Sequence, residues 1–348
     1  MKFDDVIVQA ENFGWSGDIY KKYQIYKLIH EKNLVSEIVE RTGNVGESLR
    51  NIFVDNIKKI FAENYFEIKN YQPTVKTDSL AEFDNISDAE KIADLLINHY
   101  KKFGYGDIST FKAFRWDKKL VAIKNFENIL LSDLIGYDHQ KNLLIQNTAA
   151  FLANKPANNV LLVGARGTGK SSGVKALVNE YFSEGLRLVQ ITQPQLKKIS
   201  NIMDELRNFP RKKFIIFLDD LSFEETEPDY KYLKSAIEGG VESQPENILI
   251  YATSNRRHLL RESDIDERYD SDNVNEKISL SDRFGLIIHY YEPTQSEYLE
   301  IIRHMLEKKN ISLDDETLRI EGHRWEILHS GRNGRIAQQF VKYFLGTR

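Results

Sequence analysis

Residues 159–178, NVLLVGARGTGKSSGVKALV, restrict the fold of this chain more than any other stretch. Apolar residues run into Gly164-Ala165-Arg166-Gly167-Thr168-Gly169-Lys170-Ser171, which fills every fixed position of G-x-x-x-x-G-K-[ST]. Ser172 follows, and apolar residues then return at helical spacing: Val174, Leu177, Val178, Tyr181 and Phe182, with Gly185 as the stop. Strand, glycine-rich turn and helix in that order form a phosphate cradle. Glycines let the backbone wrap closely and aim successive N–H groups inward. The helix beginning near Gly169 adds its positive N-terminal end. The pattern predicts that residues 164–172 hold phosphate, that Lys170 reaches the β- and γ-phosphates, and that Ser171 ligates Mg²⁺.

A cradle of this kind requires a parallel sheet, and the sequence supplies the other strands. LRLVQIT (186–192), KFIIFLDD (213–220), NILIYATSN (247–255) and GLIIHYY (285–291) are short apolar runs separated by helical patterns. Strands apolar on both faces, alternating with helices, predict an α/β fold whose parallel sheet is covered on both sides. After Pro293 the pattern is helical to the C-terminus. The third run ends in Asp219 and Asp220, at the strand end where open α/β sheets bind ligands. Asp219 is the candidate for the Mg²⁺ shell. Asp220 is the candidate to orient the attacking water, with Glu224 as the alternative acid. The next run ends in Thr253, Ser254 and Asn255, polar groups within one strand of the acids.

Residues 1 to about 125 read as mostly helical. Ile25, Leu28, Ile29, Val35, Ile38 and Val39 make one stripe between Tyr23 and Glu40, with Gly43 as its C-cap. Ser87-Asp88-Ala89-Glu90 reads as a capping box, opening a helix that stops near Gly104. Phe53, Phe61, Tyr65, Phe66 and Tyr71 read as core in preference to a partner-binding face. The acidic stretch 224–231 reads as a solvated loop.

These motifs resemble the AAA+ ATPases. The order is a phosphate loop (164–171), an acid-ending strand (214–220), a polar residue at a strand end (Asn255), an SDRF segment (281–284) and a helical lid. More narrowly, PANNVLLVGARGTGKSS, LDDLSFE, LIYATSNRRHL, EKISLSDRFGL and GRNGRIAQQF are similar to an uncharacterised family of bacterial AAA+ proteins described only as ATP-binding or of unknown function. The resemblance covers roughly residues 126–348. It implies an α/β nucleotide-binding domain (126–292) and a helical lid (293–348), which follow the mostly helical N-terminal domain (1–125) read from the residues. It implies Asn255 as sensor 1 and Arg283 as an arginine finger acting on a neighbouring subunit. It implies Arg335 as sensor 2, with Arg332 as fallback. It also implies Ile135 and Tyr137, in LIGYDHQ (134–140), as adenine contacts. Two departures stand out. Asp220 replaces the glutamate common in such enzymes. The connection TQPQLKKISNIMDELRNFPRKK carries no aromatic at its tip, which disfavours protein threading.

The resemblance implies ATP and Mg²⁺ as cofactors, a ring or arc of identical chains, and ATP hydrolysis coupled to remodelling of an unknown client. Two other readings stay open. One is a nucleic-acid-handling ATPase of the helicase-loader type, using basic groups such as LKK (196–198), PRKK (210–213) and NRRHLLR (255–261, with Arg256 and Arg257). The other is a nucleotide-gated switch with little turnover. The 348 residues carry a net charge of −4, which argues against a large nucleic-acid footprint. There is no cysteine, which excludes disulfides and thiolate chemistry, and no apolar run of the roughly 20 residues needed to span a bilayer. A cytoplasmic location is the expectation.

Overall fold

In a computed structural model the described residues are 3–62, 68, 70–74, 78–84, 86–223, 229–238, 244–255, 281–329 and 331–347. The chain divides into two compact units. One comprises Met1–Phe111, Ser183–Gly185 and Asn208–Lys212; the other comprises Lys112–Phe182, Leu186–Arg207 and Lys213–Arg348.

The first unit is helical: α1 (Phe3–Phe13), α2 (Ile19–His30), α3 (Leu34–Thr42), α4 (Glu47–Ala62), α5 (Ala89–Phe103) and α6 (Asp107–Thr110). Its core gathers Trp15, Ile25, Val39, Ile57, Ile92 and Leu96. Phe53 is buried there, with Phe61 and Tyr71 packed against it, so these aromatics are core. Tyr65 and Phe66 lie outside the described residues. The stripe from Tyr23 to Glu40 forms two helices, not one. Asn33 ends the run: its side chain accepts from Ser36 N at 2.9 Å, and Ser36 Oγ accepts from Asn33 N at 3.0 Å. This reciprocal cap starts α3 afresh and overrides an apolar pattern that continues through it. Gly43 closes α3 in the left-handed region at φ 78°, and Gly104 closes α5. The cap of α5 is Asp88, which accepts from Glu90 N at 3.0 Å, and not the predicted Ser87–Glu90 box.

The second unit holds a seven-stranded sheet of order β2-β1-β4-β5-β6-β3-β7. The strands are β1 (Ala113–Asp117), β2 (Lys119–Ala122), β3 (Val160–Gly164), β4 (Leu186–Ile191), β5 (Lys213–Leu218), β6 (Ile248–Ser254) and β7 (Leu286–Tyr290). Among the described strand pairs of this sheet, β1–β2 is antiparallel and the others are parallel. Every residue of β5 and β6 is buried, as strands covered on both faces require. Helices α7 (Asp138–Leu152), α8 (Lys170–Tyr181), α9 (Ile199–Arg207) and α10 (Asp229–Glu238) belong with the sheet. The C-terminal lid is α11 (Gln295–Glu307), α12 (Asp315–Leu328) and α13 (Gly334–Gly346), with a core of its own built on Tyr298, Ile302, Leu318 and Phe340. The fold class is the expected one, an α/β phosphate-loop sheet with a helical lid.

Strands β1 and β2 have no counterpart among the sequence expectations. Residues 113–122, placed with the N-terminal domain on sequence grounds, extend the sheet instead: Arg115 pairs with Gln190 of β4, and Phe114 with Ala122. Their turn carries Lys118 at φ 59°, where a hairpin signal would show glycine or asparagine.

Candidate active site

The phosphate-loop strand β3 lies between β6 and β7. Its last residue, Gly164, stands opposite Tyr290. Gly164 has φ 152°, and a Cβ there would collide with the Tyr290 carbonyl oxygen. Only glycine fits so close a strand. Gly164→Ala is therefore expected to cost roughly 2–4 kcal/mol, read as a fall in Tm of the full chain. An unchanged Tm would show that β7 yields without cost.

Beyond Gly164 the loop turns through Gly167 (φ 79°) and Gly169 (φ 89°), and α8 starts at Lys170. Thr168 Oγ1 donates to Ala165 O at 2.9 Å and closes the turn on itself. Lys170 is 6% exposed. Its Nζ donates to Gly164 O and Ala165 O, both at 2.7 Å, and to Asn255 Oδ1 at 3.2 Å. Burial pulls the Lys170 ammonium below its ordinary value, while Asp219 and Asp220 pull it back up.

The acids meet the loop through a short relay. Ser171 Oγ donates to Asp219 Oδ1 at 2.5 Å, and Thr253 Oγ1 donates to the same oxygen at 2.7 Å. Thr253 Oγ1 also accepts the Asp220 N–H at 2.9 Å. Asn255 Nδ2 donates to Asp220 Oδ1, and Arg166 lies 3.6 Å from the other Asp220 oxygen. Asp220 has φ 57°, a left-handed backbone that aspartate and asparagine tolerate better than most residues. The strand order explains the meeting. β6 separates β3 from β5, so the hydroxyl and amide at its end reach both the loop and the acids. Thr253 has this linking position; in the sequence it stands with Ser254 and Asn255 as one of the polar strand-end groups near the acids, with no role of its own assigned.

These groups line one cleft of about 780 Å³. Arg166, Gly167, Thr168, Gly169, Lys170, Ser171, Ser172, Asp219, Asp220, Asn255, Ile135, Tyr137 and Arg335 all border it; Gly164 and Ala165 meet it through their carbonyl bonds to Lys170. The far wall is the lid helix α11, through Ile301, His304 and Met305. Lys308, just past the end of α11, forms an ion pair with Asp133, which lies just before Ile135 in the chain. Tyr137 donates its hydroxyl to Tyr291 O at 2.7 Å, its ring 5.1 Å from Tyr290, and burial pushes its hydroxyl up to about 12. Ile135 packs against the lid core.

The lid also grips the loop directly. Asn333 caps α13, accepting from Ile336 N at 3.0 Å, and Gly334 N donates to Gly167 O at 2.9 Å. A Cβ on Gly167 would meet Asn333 Oδ1 at 2.5 Å. The N-terminal ends of α8 and α13 therefore converge on Gly167, and Arg335 stands one residue inside α13. Arg332 is turned aside, 3.3 Å from Glu326.

Arg283 does not border the cleft. Its guanidinium pairs with Glu238 of α10 at 2.6 Å. Glu224, Arg256 and Arg257 lie outside the described residues.

Among the described residues no cluster of three His, Cys, Asp or Glu side chains is placed to hold a metal. The donors that do converge are a hydroxyl and one carboxylate, both hard oxygens. That set fits Mg²⁺, which favours one or two carboxylates, retained waters and substrate phosphates over an all-protein cage.

A family model described as "Protein of unknown function (DUF815)" matches residues 109–348. The chain belongs to this family. The matched span takes in the whole sheet, β1 and β2 included, and the lid. No curated protein matches the sequence. Among solved structures, the Thermotoga maritima RuvB Holliday junction branch migration motor is 17% identical with a TM-score of 0.38, covering 62% of this chain and 71% of that one. A point variant of the same RuvB is 16% identical with a TM-score of 0.40, covering 63% and 73%. This DUF815 chain has no helix among its described residues long and apolar enough to cross a membrane.

Proposed function

We propose that this cleft binds MgATP and hydrolyses it, and that hydrolysis moves the lid to remodel a client. The observation that carries the reading is the shared carboxylate. Asp219 accepts from the phosphate-loop Ser171 and from Thr253 at a neighbouring strand end, while Asn255 joins Lys170 to Asp220. A phosphate cradle alone would hold nucleotide. Two acids tied to it by a hydroxyl and an amide are the parts that hydrolysis needs.

In this reading the loop N–H groups and Lys170 bind the phosphates, and Lys170 exchanges the loop carbonyls for phosphate oxygens. Ser171 and Asp219 hold Mg²⁺, which neutralises charge on the phosphate oxygens when bound. Asp220 orients the attacking water, and Asn255 holds Asp220. Ile135 and Tyr137 face the base. Arg335 meets the phosphates from α13, whose first residue is already bonded to the loop. A change at the γ-phosphate thus reaches the lid through Gly167 and Gly334 without an intervening element.

Equilibrium titration of the full chain with ATP tests the reading, with and without Mg²⁺. Saturable binding strengthened by Mg²⁺ is expected; no binding at millimolar ATP would end it. Thr253→Val, which keeps the shape and removes the hydroxyl, is expected to retain ATP binding and to slow turnover by roughly ten- to a hundredfold, since a hydrogen bond to a charged group contributes about 1.5–3 kcal/mol. Thr253→Ser should restore the rate. Failure of serine to restore it would show that the methyl, not the hydroxyl, matters.

In the same reading Arg283 acts in trans; within its own chain it lies outside the cleft, paired with Glu238. Arg283→Ala is expected to bind ATP normally and hydrolyse it poorly, and activity should partly return on mixing it with Lys170→Ala. Specific activity independent of concentration, with no recovery on mixing, would leave Arg283 as an intramolecular partner of Glu238.

A further inference from the structure

The sheet edge farthest from β7 carries charge that the nucleotide reading does not use. β2 is the edge strand, and β1 joins it through the turn at Asp117, Lys118 and Lys119. Arg115, Lys118 and Lys119 are exposed. The short helical segment Gln193–Lys198 after β4 is fastened beside them, because Gln195 donates its side-chain amide to Trp116 O at 2.8 Å. It presents Lys197 and Lys198, both exposed. Two segments far apart in sequence therefore bring five cations to one edge. Asp117 is the single acid in residues 113–122 and 193–198. None of the five cations forms an ion pair with a described residue. Trp116, half-buried, follows Arg115 in β1 with its side chain on the opposite face of the sheet.

Lysine on an edge strand also guards against sheet-to-sheet association, and that accounts for Lys119. It does not account for Arg115 on the inner strand, nor for Lys197 and Lys198, which are outside the sheet. Unpaired like charges held together repel one another and weaken the fold, so their grouping calls for an anion of matching extent. Five cations spread over a hairpin and a neighbouring turn exceed what one phosphate group needs.

We propose that this edge binds the phosphate backbone of a nucleic acid, without reading its sequence. β1 runs parallel to β4, so the β1–β2 turn stands at the same end of the sheet as the phosphate loop. Four strand spacings separate β1 from β3, about 19 Å across the sheet. A strand held at this edge lies beside the turn that follows β4 and clear of the cleft. The proposal rests on the edge's own geometry and stands apart from the hydrolysis reading.

The test is fluorescence anisotropy of the full chain with a labelled poly-dT strand of about 20 nucleotides and with a duplex of equal length, from about 25 to 200 mM salt. Binding is expected to weaken with salt, with a slope of log K against log salt near about −3 to −4 for the single strand, as about 0.7 per phosphate contact over five cations gives. The double variants Lys118→Gln/Lys119→Gln and Lys197→Gln/Lys198→Gln should each reduce that slope by about 1.4 and lower affinity about tenfold at low salt. ATP titration of the same variants should match the parent, which separates loss of this edge from failure of the nucleotide site. Three results overturn the proposal: no binding of either nucleic acid at the lowest salt, equal binding by parent and both variants, or poly-glutamate bound as tightly as poly-dT. The last would mark an acidic protein as the partner.

Discussion

Lys170→Ala is expected to weaken MgATP binding on the order of 10²-fold or more, because it removes the lysine that stands within the phosphate loop. The physical case rests on where the ammonium sits. It donates to two loop carbonyls and to Asn255, in a site buried enough to pull its proton affinity down. A buried ammonium whose partners are mostly neutral carbonyls is undercompensated. Arriving phosphate oxygens offer full negative charge in the same place. Truncation leaves Gly164 O and Ala165 O to water at the cleft surface, so the fold should survive with a similar Tm. ATP affinity equal to the parent's, in a variant of normal Tm, would remove the phosphate assignment.

Asp220→Asn is expected to keep nucleotide affinity and lose turnover on the order of 10²-fold or more, the scale of a lost general base. Asparagine tolerates the left-handed backbone found at Asp220, so the change isolates the carboxylate charge. Asp219 would still be held by Ser171 and Thr253. Asp220 reaches about one methylene less than glutamate would, and Asn255 and Arg166 on its two oxygens hold that shorter reach toward the loop. If turnover survives and Glu224→Gln abolishes it instead, the water-orienting acid is Glu224.

The parts of the site that were legible in the sequence share one property: their chemistry depends on residues close together in the chain. The phosphate loop is one βα turn, and its strand and helix are visible from periodicity alone. Asp219 and Asp220 follow directly from a buried run. What stayed hidden depends on distance along the chain. Thr253 matters because β6 is threaded between β3 and β5, and strand order is not written in any single segment. Asn333 and Gly334 open α13, but nothing local in the sequence says that this start docks on Gly167. The Asp133–Lys308 pair joins residues on opposite walls of the cleft. Arg283 shows the converse case. Its motif is legible, and the structure adds Glu238 as a partner that the motif does not contain.

The fold follows the same division. The five strands that were readable are mostly apolar runs, and β5 and β6 in the middle of the sheet are buried throughout because both faces are covered. β1 and β2 mix Arg115, Asp117 and Lys119 with apolar residues, and the turn between them uses Lys118 at positive φ. β1 owes its strand character to pairing with β4, an interaction over some 75 residues of chain (Ala113 with Leu188), and β2 to pairing with β1. The split of the predicted helix at Asn33 has a local cause, and the asparagine three residues before Ser36 was the available signal.

The measurement that bears most directly on the central claim is steady-state phosphate release from MgATP, by the full chain and by Asp220→Asn side by side. Release that saturates with ATP is expected in the parent, with a fall of at least about a hundredfold in the variant at equal nucleotide affinity. Tight ATP binding with no phosphate released by the parent would contradict it, and would make the cleft a nucleotide-gated switch.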